Sequence, residues 1–279
     1  MHMGQSKRLT IQHKETQGVV GIFGDEAKVH DAEVGVVSLR AFEVLQEKYP
    51  ALTFRYRKQI DKAEINQNLR RIDAMLGQTL FVPESSIRLD GGFIEVLDDN
   101  GSWRVVLVSE AKHQGKDIEN IKAGKQVGKN GDQDLMSAGN AIERAFKNIF
   151  EVANFMLAES HFPYVLFLEG SNFLTQDIMV QRPDGRIVVL NCHSGNLNRL
   201  DRLTAANYGM AINANLCENK FVLHHDKAIM LQATSIYTQG DGTAWKADDM
   251  LKVMLEIAET SIKVLAKDIF RQLVEKVNG

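Results

Sequence analysis

The chain predicts an α/β fold in which strands near the middle are flanked by helices and one arm is inserted. Three observations lead there: an apolar hairpin near the middle, helical periodicity on both sides of it, and a wholly apolar strand beyond the second helical stretch. A length of 279 residues allows one large domain with elaborations or two modest ones, and the organisation favours one domain spanning 1–279.

The elements follow in order. The first 75 residues show helical periodicity, and strands are expected from about Thr79 through Ala111. Within that region Phe93 to Leu97 and Trp103 to Val108 flank Asn100-Gly101, the strongest short hairpin signal. Residues 113–139 have no clear apolar periodicity and carry Gly115, Gly124, Gly128, Gly131 and Gly139 among lysines and amides. Such a stretch is poor core material. Long loops inside compact domains are usually functional, so an arm reaching around a ligand is expected here. A helix follows, with an apolar stripe of Ile142, Ala145, Phe146, Ile149, Val152, Ala153 and Met156. Its start, Asn140-Ala141-Ile142-Glu143, has the form of a capping box. Tyr164 to Leu168 reads as a fully buried strand. Pro183-Asp184-Gly185 separates two alternating runs, Ile178 to Arg182 and Arg186 to Leu190, and reads as a hairpin turn. A helix is expected from about Asn196 to Asn207. The tail from Ala247 to Val274 spaces Leu251, Met254, Ile257, Ile262, Leu265, Ile269 and Leu273 as core-facing amphipathic helices would, although a dimer face would show the same pattern.

Composition bounds the function. Apolar content of 44% with 25% charged residues describes a globular protein, and no stretch reaches membrane-spanning length. The amino terminus lacks a signal peptide. Cys192 and Cys217 have neither disulfide nor zinc spacing, which fits a reducing cytoplasm. Cys192-His193 is better read as incidental than as a nucleophile and its base. The formal net charge is −3, so any binding to nucleic acid must use segregated charge. Arg55 to Arg71 holds six basic residues against two acidic ones, and Lys112 to Lys129 five against two. Local patches on an acidic chain favour specific binding over indiscriminate binding.

The strongest chemical signal is the end of the hairpin, Ser109-Glu110-Ala111-Lys112, together with Asp90 at the head of the preceding strand. If the turn centres on Asn100, Asp90 falls opposite Glu110, with Cβ atoms roughly 4.5–5.5 Å apart. Glu110 and Lys112 share a face because strand side chains alternate. Adjacent carboxylates remain ionised most easily around a hard cation, and magnesium suits such a site. The chemistry implied is metal-assisted hydrolysis of a phosphodiester, with Lys112 placing the water or neutralising developing charge. Three acidic-x-Lys triplets occur, at Glu26, Glu110 and Glu218, so the triplet alone discriminates little. Only Glu110 closes an apolar strand and has a carboxylate partner. An ordinary solvated hairpin end is the competing reading.

Gly21-Ile22-Phe23-Gly24-Asp25, Trp103 to Lys116, Gly131 to Arg144, His161 to Leu174 and Asn198 to Met210 carry a wider likeness. Through them the chain resembles the EcoRI family of type II restriction endonucleases, within the PD-(D/E)xK nucleases, over essentially its whole length. Leu89 stands where the signature has proline, a position that does no chemistry. The resemblance implies a restriction-endonuclease-like core, a central mixed β-sheet flanked by helices, whose 113–139 arm embraces double-stranded DNA. It also implies a homodimer that cuts GAATTC between G and A on each strand, leaving four-nucleotide 5′ overhangs. Asp90, Glu110 and the Ala111 carbonyl would hold Mg2+, with Asp90, Glu110 and Lys112 catalytic. Met136, Ser137, Ala138, Gly139, Asn140 and Ala141 match a segment lying extended in the major groove. Asn140, Glu143 and Arg144 match adenine-recognition residues, and Arg199 and Arg202 match recognition residues directed at guanine. Ser86, Arg88, Lys116, Lys147 and Asn148 match phosphate contacts, which position the protein without reading sequence. A companion adenine methyltransferase acting on the same site is implied for the host. Two rival readings are a structure-selective nuclease on the same core and a non-catalytic sequence-specific binder.

Overall fold

A computed structural model describes residues 25–78, 84–128, 132–133, 139–192, 217–218, 220–231 and 234–277. Strands β1 (Phe54–Asp61), β2 (Ser86–Leu97) and β3 (Trp103–His113) form an antiparallel meander. Strands β5 (Tyr164–Glu169) and β11 (Ser235–Thr238) extend it in parallel, giving a five-stranded mixed sheet ordered β1-β2-β3-β5-β11. Short pairs complete the strands among the described residues: β4 (His161–Phe162) with β8 (Cys217–Glu218), β6 (Ile178–Gln181) with β7 (Ile187–Leu190), and β9 (Lys220–His224) with β10 (Lys227–Leu231).

Each sheet face is covered because its neighbouring helices carry an apolar stripe. Helix α1 (Asp25–Lys48) contributes Val34, Val37, Ala41 and Leu45 to one core. Helix α5 (Ala247–Val277) adds Met250, Met254, Ile257, Ala258, Ile262 and Leu265 to the same core, against Ile94, Val106, Leu107, Val165 and Phe167. The tail thus forms one core-facing helix up to Leu265. Ile269 and Leu273 lie beyond the side chains described. On the other face, helix α4 (Gly139–Phe155) buries Ala141, Ile142, Ala145, Ile149 and Val152 against Phe93, Val105, Val108, Leu166 and Leu168. Helix α2 (Lys62–Ile72) contributes Ile65 there. At roughly 1.5–3 kcal/mol per fully buried large aliphatic or aromatic side chain, these two cores are the main force fixing the sheet and hence its edges and ends.

The helical reading of the first 75 residues does not extend through Phe54–Asp61, which is an edge strand. Its alternation is easily missed because the inward set includes Arg55 and Arg57. These arginines turn to Glu95, which is fully buried across the ladder. Arg55 Nε donates to Glu95 Oε2 at 2.7 Å, and Arg57 Nη2 to Glu95 Oε1 at 2.9 Å. Arg57 also pairs with Glu64 at 2.7 Å, and Lys62 with Glu151 at 2.9 Å. Much of the basic excess between Arg55 and Arg71 is therefore consumed inside the fold.

Both predicted hairpins form. In the first, Leu97 pairs with Trp103, and the Asp98 carboxylate accepts from the N–H groups of Asn100 and Ser102 at 3.0 and 2.8 Å. In the second, Ile178 pairs with Leu190 around Pro183-Asp184-Gly185, with Gly185 at φ +85. The buried strand prediction for Tyr164–Leu168 also holds. The segment after β3 is less bare than its composition suggests. Helix α3 (Asp117–Lys122) places Ile118 and Ile121, together with Val127, in a small core with Leu174, Val180 and Leu190. One short helix is too brief to show periodicity, and its apolar partners lie more than fifty residues downstream. The Asn196–Asn207 helix expectation falls outside the described residues. Among the described residues no helix is long and apolar enough to cross a membrane.

Candidate active site

Strand β3 presents Glu110 and Lys112 on the α4 face, as alternation requires. Sequence counting had Asp90 directly opposite Glu110, and the register corrects this. Near the turn Val96 pairs with Arg104, but after a shift between Ile94 and Glu95 the pairs become Phe93–Val108 and Gly92–Ser109. The extra residue is Val106: Val106 and Leu107 both enter the α1–α5 core, as two consecutive side chains can at a bulge. Continued past Gly92, this register sets Asp90 beside Ala111, whose N–H lies 3.4 Å from Asp90 Oδ2.

A second irregularity then turns Asp90 toward the site. Gly92 has φ +74, a conformation that favours glycine. A Cβ on Gly91 would stand 2.1 Å from Ser109 Oγ and 2.6 Å from Ser38 Oγ, so Gly91 faces α1. Its neighbour Asp90 faces the opposite way, toward Lys112.

The result is a compact polar cluster in an apolar wall. Lys112 Nζ lies 2.7 Å from each of three oxygens: Asp90 Oδ2, Glu110 Oε1 and the Ala111 carbonyl. Glu110 is 1% exposed. Asn148 Nδ2, from α4, donates to Glu110 Oε1 at 2.6 Å, and the Tyr164 hydroxyl donates to Glu110 Oε2. Burial pushes the Glu110 carboxyl above its ordinary pKa, with Asp90 adding to the rise, while Lys112 and the Tyr164 hydroxyl oppose it. Burial alone would lower the Lys112 pKa, but Glu110 and Asp90 outweigh it and hold the ammonium protonated. The Tyr164 phenol is raised well above 10 by burial and by the Glu110 charge, so it stays protonated and keeps its O–H for Glu110.

The donor set suits a hard divalent cation. Three oxygens already converge on one cationic atom, and two carboxylates against one ammonium leave a formal charge of −1. Asp90, Glu110 and the Ala111 carbonyl are the groups that could hold such an ion, with Lys112 beside them. The same constellation could stabilise negative charge on a phosphoryl oxygen.

The other predicted positions are distributed unevenly. Leu89, in place of proline, is 2% exposed and packs in the α4-side core. Ser86 and Arg88 lie on β2 upstream of Asp90, with Arg88 exposed. Lys116 is half-buried just before α3. Lys147 is 67% exposed on α4 and sits 4.0 Å from Glu151. Asn148, expected at a phosphate, gives one amide N–H to Glu110. Glu143 and Arg144 are exposed near the start of α4. The expectation that residues 136–141 lie extended is corrected at its end, because α4 already begins at Gly139 and Ala141 is 3% exposed in the core. Asn140 consequently lies within the helix rather than ahead of it. Met136, Ser137, Ala138, Arg199 and Arg202 fall outside the described residues, as does the side chain of Asn140. Sequence reasoning missed Tyr164 as part of the site. Its signal was a single phenol in an otherwise aliphatic and aromatic buried strand, where a hydroxyl needs a partner.

Comparisons with known proteins point the same way. The family model described as restriction endonuclease EcoRI matches residues 16–272. The chain is 66% identical over 272 residues to the type II restriction enzyme EcoRI of Escherichia coli, covering 98% of each chain. It is 47% identical over 266 residues to the type II restriction enzyme RsrI of Cereibacter sphaeroides, covering 95% of each.

Proposed function

Since the chain belongs to the restriction endonuclease EcoRI family and is a type II restriction endonuclease acting on double-stranded DNA, we propose that it hydrolyses GAATTC between G and A on both strands. The products are duplex ends with four-nucleotide 5′ overhangs. One observation carries the chemical half of this reading: Asp90, Glu110 and the Ala111 carbonyl converge on Lys112 Nζ at the end of one hairpin. Identity of 66% over nearly the full length supports the choice of target.

In this reading Asp90, Glu110 and the Ala111 carbonyl hold Mg2+. Mg2+ held there would supply Lewis-acid stabilisation of charge on the scissile phosphoryl group and would make a nearby water more acidic. Lys112 donates a hydrogen bond to the attacking water and orients it toward phosphorus. The apolar wall of Phe93, Val108 and Leu166 keeps bulk water from competing for these groups and strengthens their electrostatics. Met136, Ser137, Ala138, Gly139, Asn140 and Ala141, with Glu143, Arg144, Arg199 and Arg202, form the base-reading set. Ser86, Arg88, Lys116 and Lys147 supply phosphate contacts, and Asn148 contributes one through the part of its amide not given to Glu110. The active species is a two-fold homodimer, because a palindrome presents equivalent half-sites to symmetry-related protomers. It works in the cytoplasm beside a separate adenine methyltransferase that protects the host sequence.

The test pairs two duplexes that differ only in N6-methylation of the inner GAATTC adenines. With magnesium present, cleavage of the unmethylated duplex alone, at one position per strand, is the expected result. Cutting of both duplexes would replace this reading with a nuclease blind to adenine N6. Binding without any cutting would leave only a sequence-specific binder.

A further inference from the structure

Tyr164 opens β5 and is fully buried. Its ring stacks on Phe162, with centroids 5.7 Å apart and planes at 21°. In the parallel ladder Tyr164 pairs with Val108, and Leu166 pairs with Glu110. Glu110 is thus a diagonal neighbour of Tyr164 on the same face, at a separation of roughly 7–8 Å that an aromatic side chain can bridge. The phenol fits that span, and its hydroxyl donates to Glu110 Oε2.

The opposite oxygen of the same carboxylate is also engaged. Glu110 Oε1 accepts from Asn148 Nδ2 at 2.6 Å and lies 2.7 Å from Lys112 Nζ. One neutral donor therefore grips each oxygen, one from the neighbouring strand and one from the covering helix. Together they fix the carboxylate plane about its long side-chain axis. A carboxylate has about four lone-pair directions. With two taken on Oε1 by Asn148 and Lys112 and one on Oε2 by Tyr164, one acceptor direction remains, on Oε2. Packing alone would be satisfied by phenylalanine at 164, so the hydroxyl serves Glu110.

We propose that Tyr164 is a positioning residue that holds the buried Glu110 carboxylate in the orientation needed to ligate the divalent cation, with Asn148 as its counterpart from α4. This rests on the assignment of Glu110 as a metal ligand made above. Groups that hydrogen-bond a metal's ligands are commonly worth about 10–100-fold in metal affinity or activity.

The test is Tyr164→Phe, which deletes one oxygen and retains the ring. Magnesium is titrated calorimetrically into the full-length protein bound to a GAATTC duplex whose scissile linkages are non-hydrolysable. The variant should bind magnesium about 10–100-fold more weakly, with metal-free DNA affinity unchanged. Its single-turnover cleavage of an ordinary duplex should fall at low magnesium and recover toward the parent rate at high magnesium. Parent-like magnesium affinity and cleavage in Tyr164→Phe, alongside loss of both in Glu110→Gln, would overturn the proposal and leave the metal assignment intact. Loss of neither in Glu110→Gln would instead remove the assignment on which the proposal rests. If Tyr164→Phe fails to fold, 3-fluorotyrosine at 164 keeps the shape while strengthening the donor. A shift in magnesium affinity is then expected, and none would overturn the proposal.

Discussion

Replacing Glu110 by glutamine preserves the shape of the side chain while removing its charge and half its acceptor capacity. Glu110→Gln should keep duplex binding, measured by fluorescence anisotropy, and lose cleavage by several orders of magnitude in single-turnover assays. Parent-rate cleavage would exclude Glu110 from the site. Gly91 is the less obvious residue. A methyl group there meets two serine hydroxyls that are themselves hydrogen-bonded, Ser38 Oγ to Ser109 Oγ at 2.6 Å. Gly91→Ala should destabilise the protein by about 1–3 kcal/mol and slow cleavage by displacing Asp90. Denaturant melts and cleavage rates check both, and a variant matching its parent in each would show that the Gly91 turn tolerates a side chain.

At the scale of elements, β1 adds ion pairs to its ladder with β2 and to the burial of Phe54 and Ile60. Its arginines close over Glu95, and the Arg55 guanidinium also lies 4.3 Å from the centroid of the Trp103 ring. Arg57→Ala would leave buried Glu95 with one fewer charged donor, at a cost of about 1–3 kcal/mol in unfolding free energy. An urea midpoint unchanged from the parent would count against that role. Strand β4 is tied down differently. His161 is fully buried, and its Nε2 lies 2.9 Å from the Val105 carbonyl on β3. Burial lowers its pKa below the ordinary value of about 6.5. The unfolded chain therefore takes up a proton at higher pH than the native one. This group's stabilising contribution is fully present above about pH 6.5 and is lost as the pH falls toward the lowered native value. A His161→Gln variant should show a shallower decline in melting temperature from pH 7 to 5 than its parent. Equal slopes would assign that decline to other groups.

Across the whole molecule the charge is −3, yet the substrate is a polyanion. Because the arginines of β1 are paired internally, phosphate neutralisation must come from other surfaces, including the segment that follows β3. Lys116→Ala should weaken duplex binding similarly for different sequences and reduce the slope of log affinity against log salt by about 1. An unchanged slope would place Lys116 away from phosphate. The two helix pairs clamp the sheet that carries Asp90, Glu110 and Lys112 on both faces. Binding can then be tuned on the surface without loosening Asp90, Glu110 or Lys112.

The sequence by itself determined whatever depends on near neighbours. Period-two alternation placed Glu110 and Lys112 on one face, Asn100-Gly101 located the hairpin, and the stripe from Ile142 to Met156 located the helix that covers the site. Tertiary structure alone decided what depends on register and on residues far apart in the chain. The bulge at Val106 moved Asp90 from opposite Glu110 to beside Ala111, and the Gly91-Gly92 irregularity turned it back toward Lys112. Arg55 and Arg57 left the expected basic patch for a glutamate forty and thirty-eight positions away. Tyr164 and Asn148 reached Glu110 from separations of 54 and 38 residues. Local patterns follow from backbone geometry that every residue shares with its neighbours. These long-range meetings follow from how the sheet and helices pack, and one inserted residue is enough to change which side chains face each other.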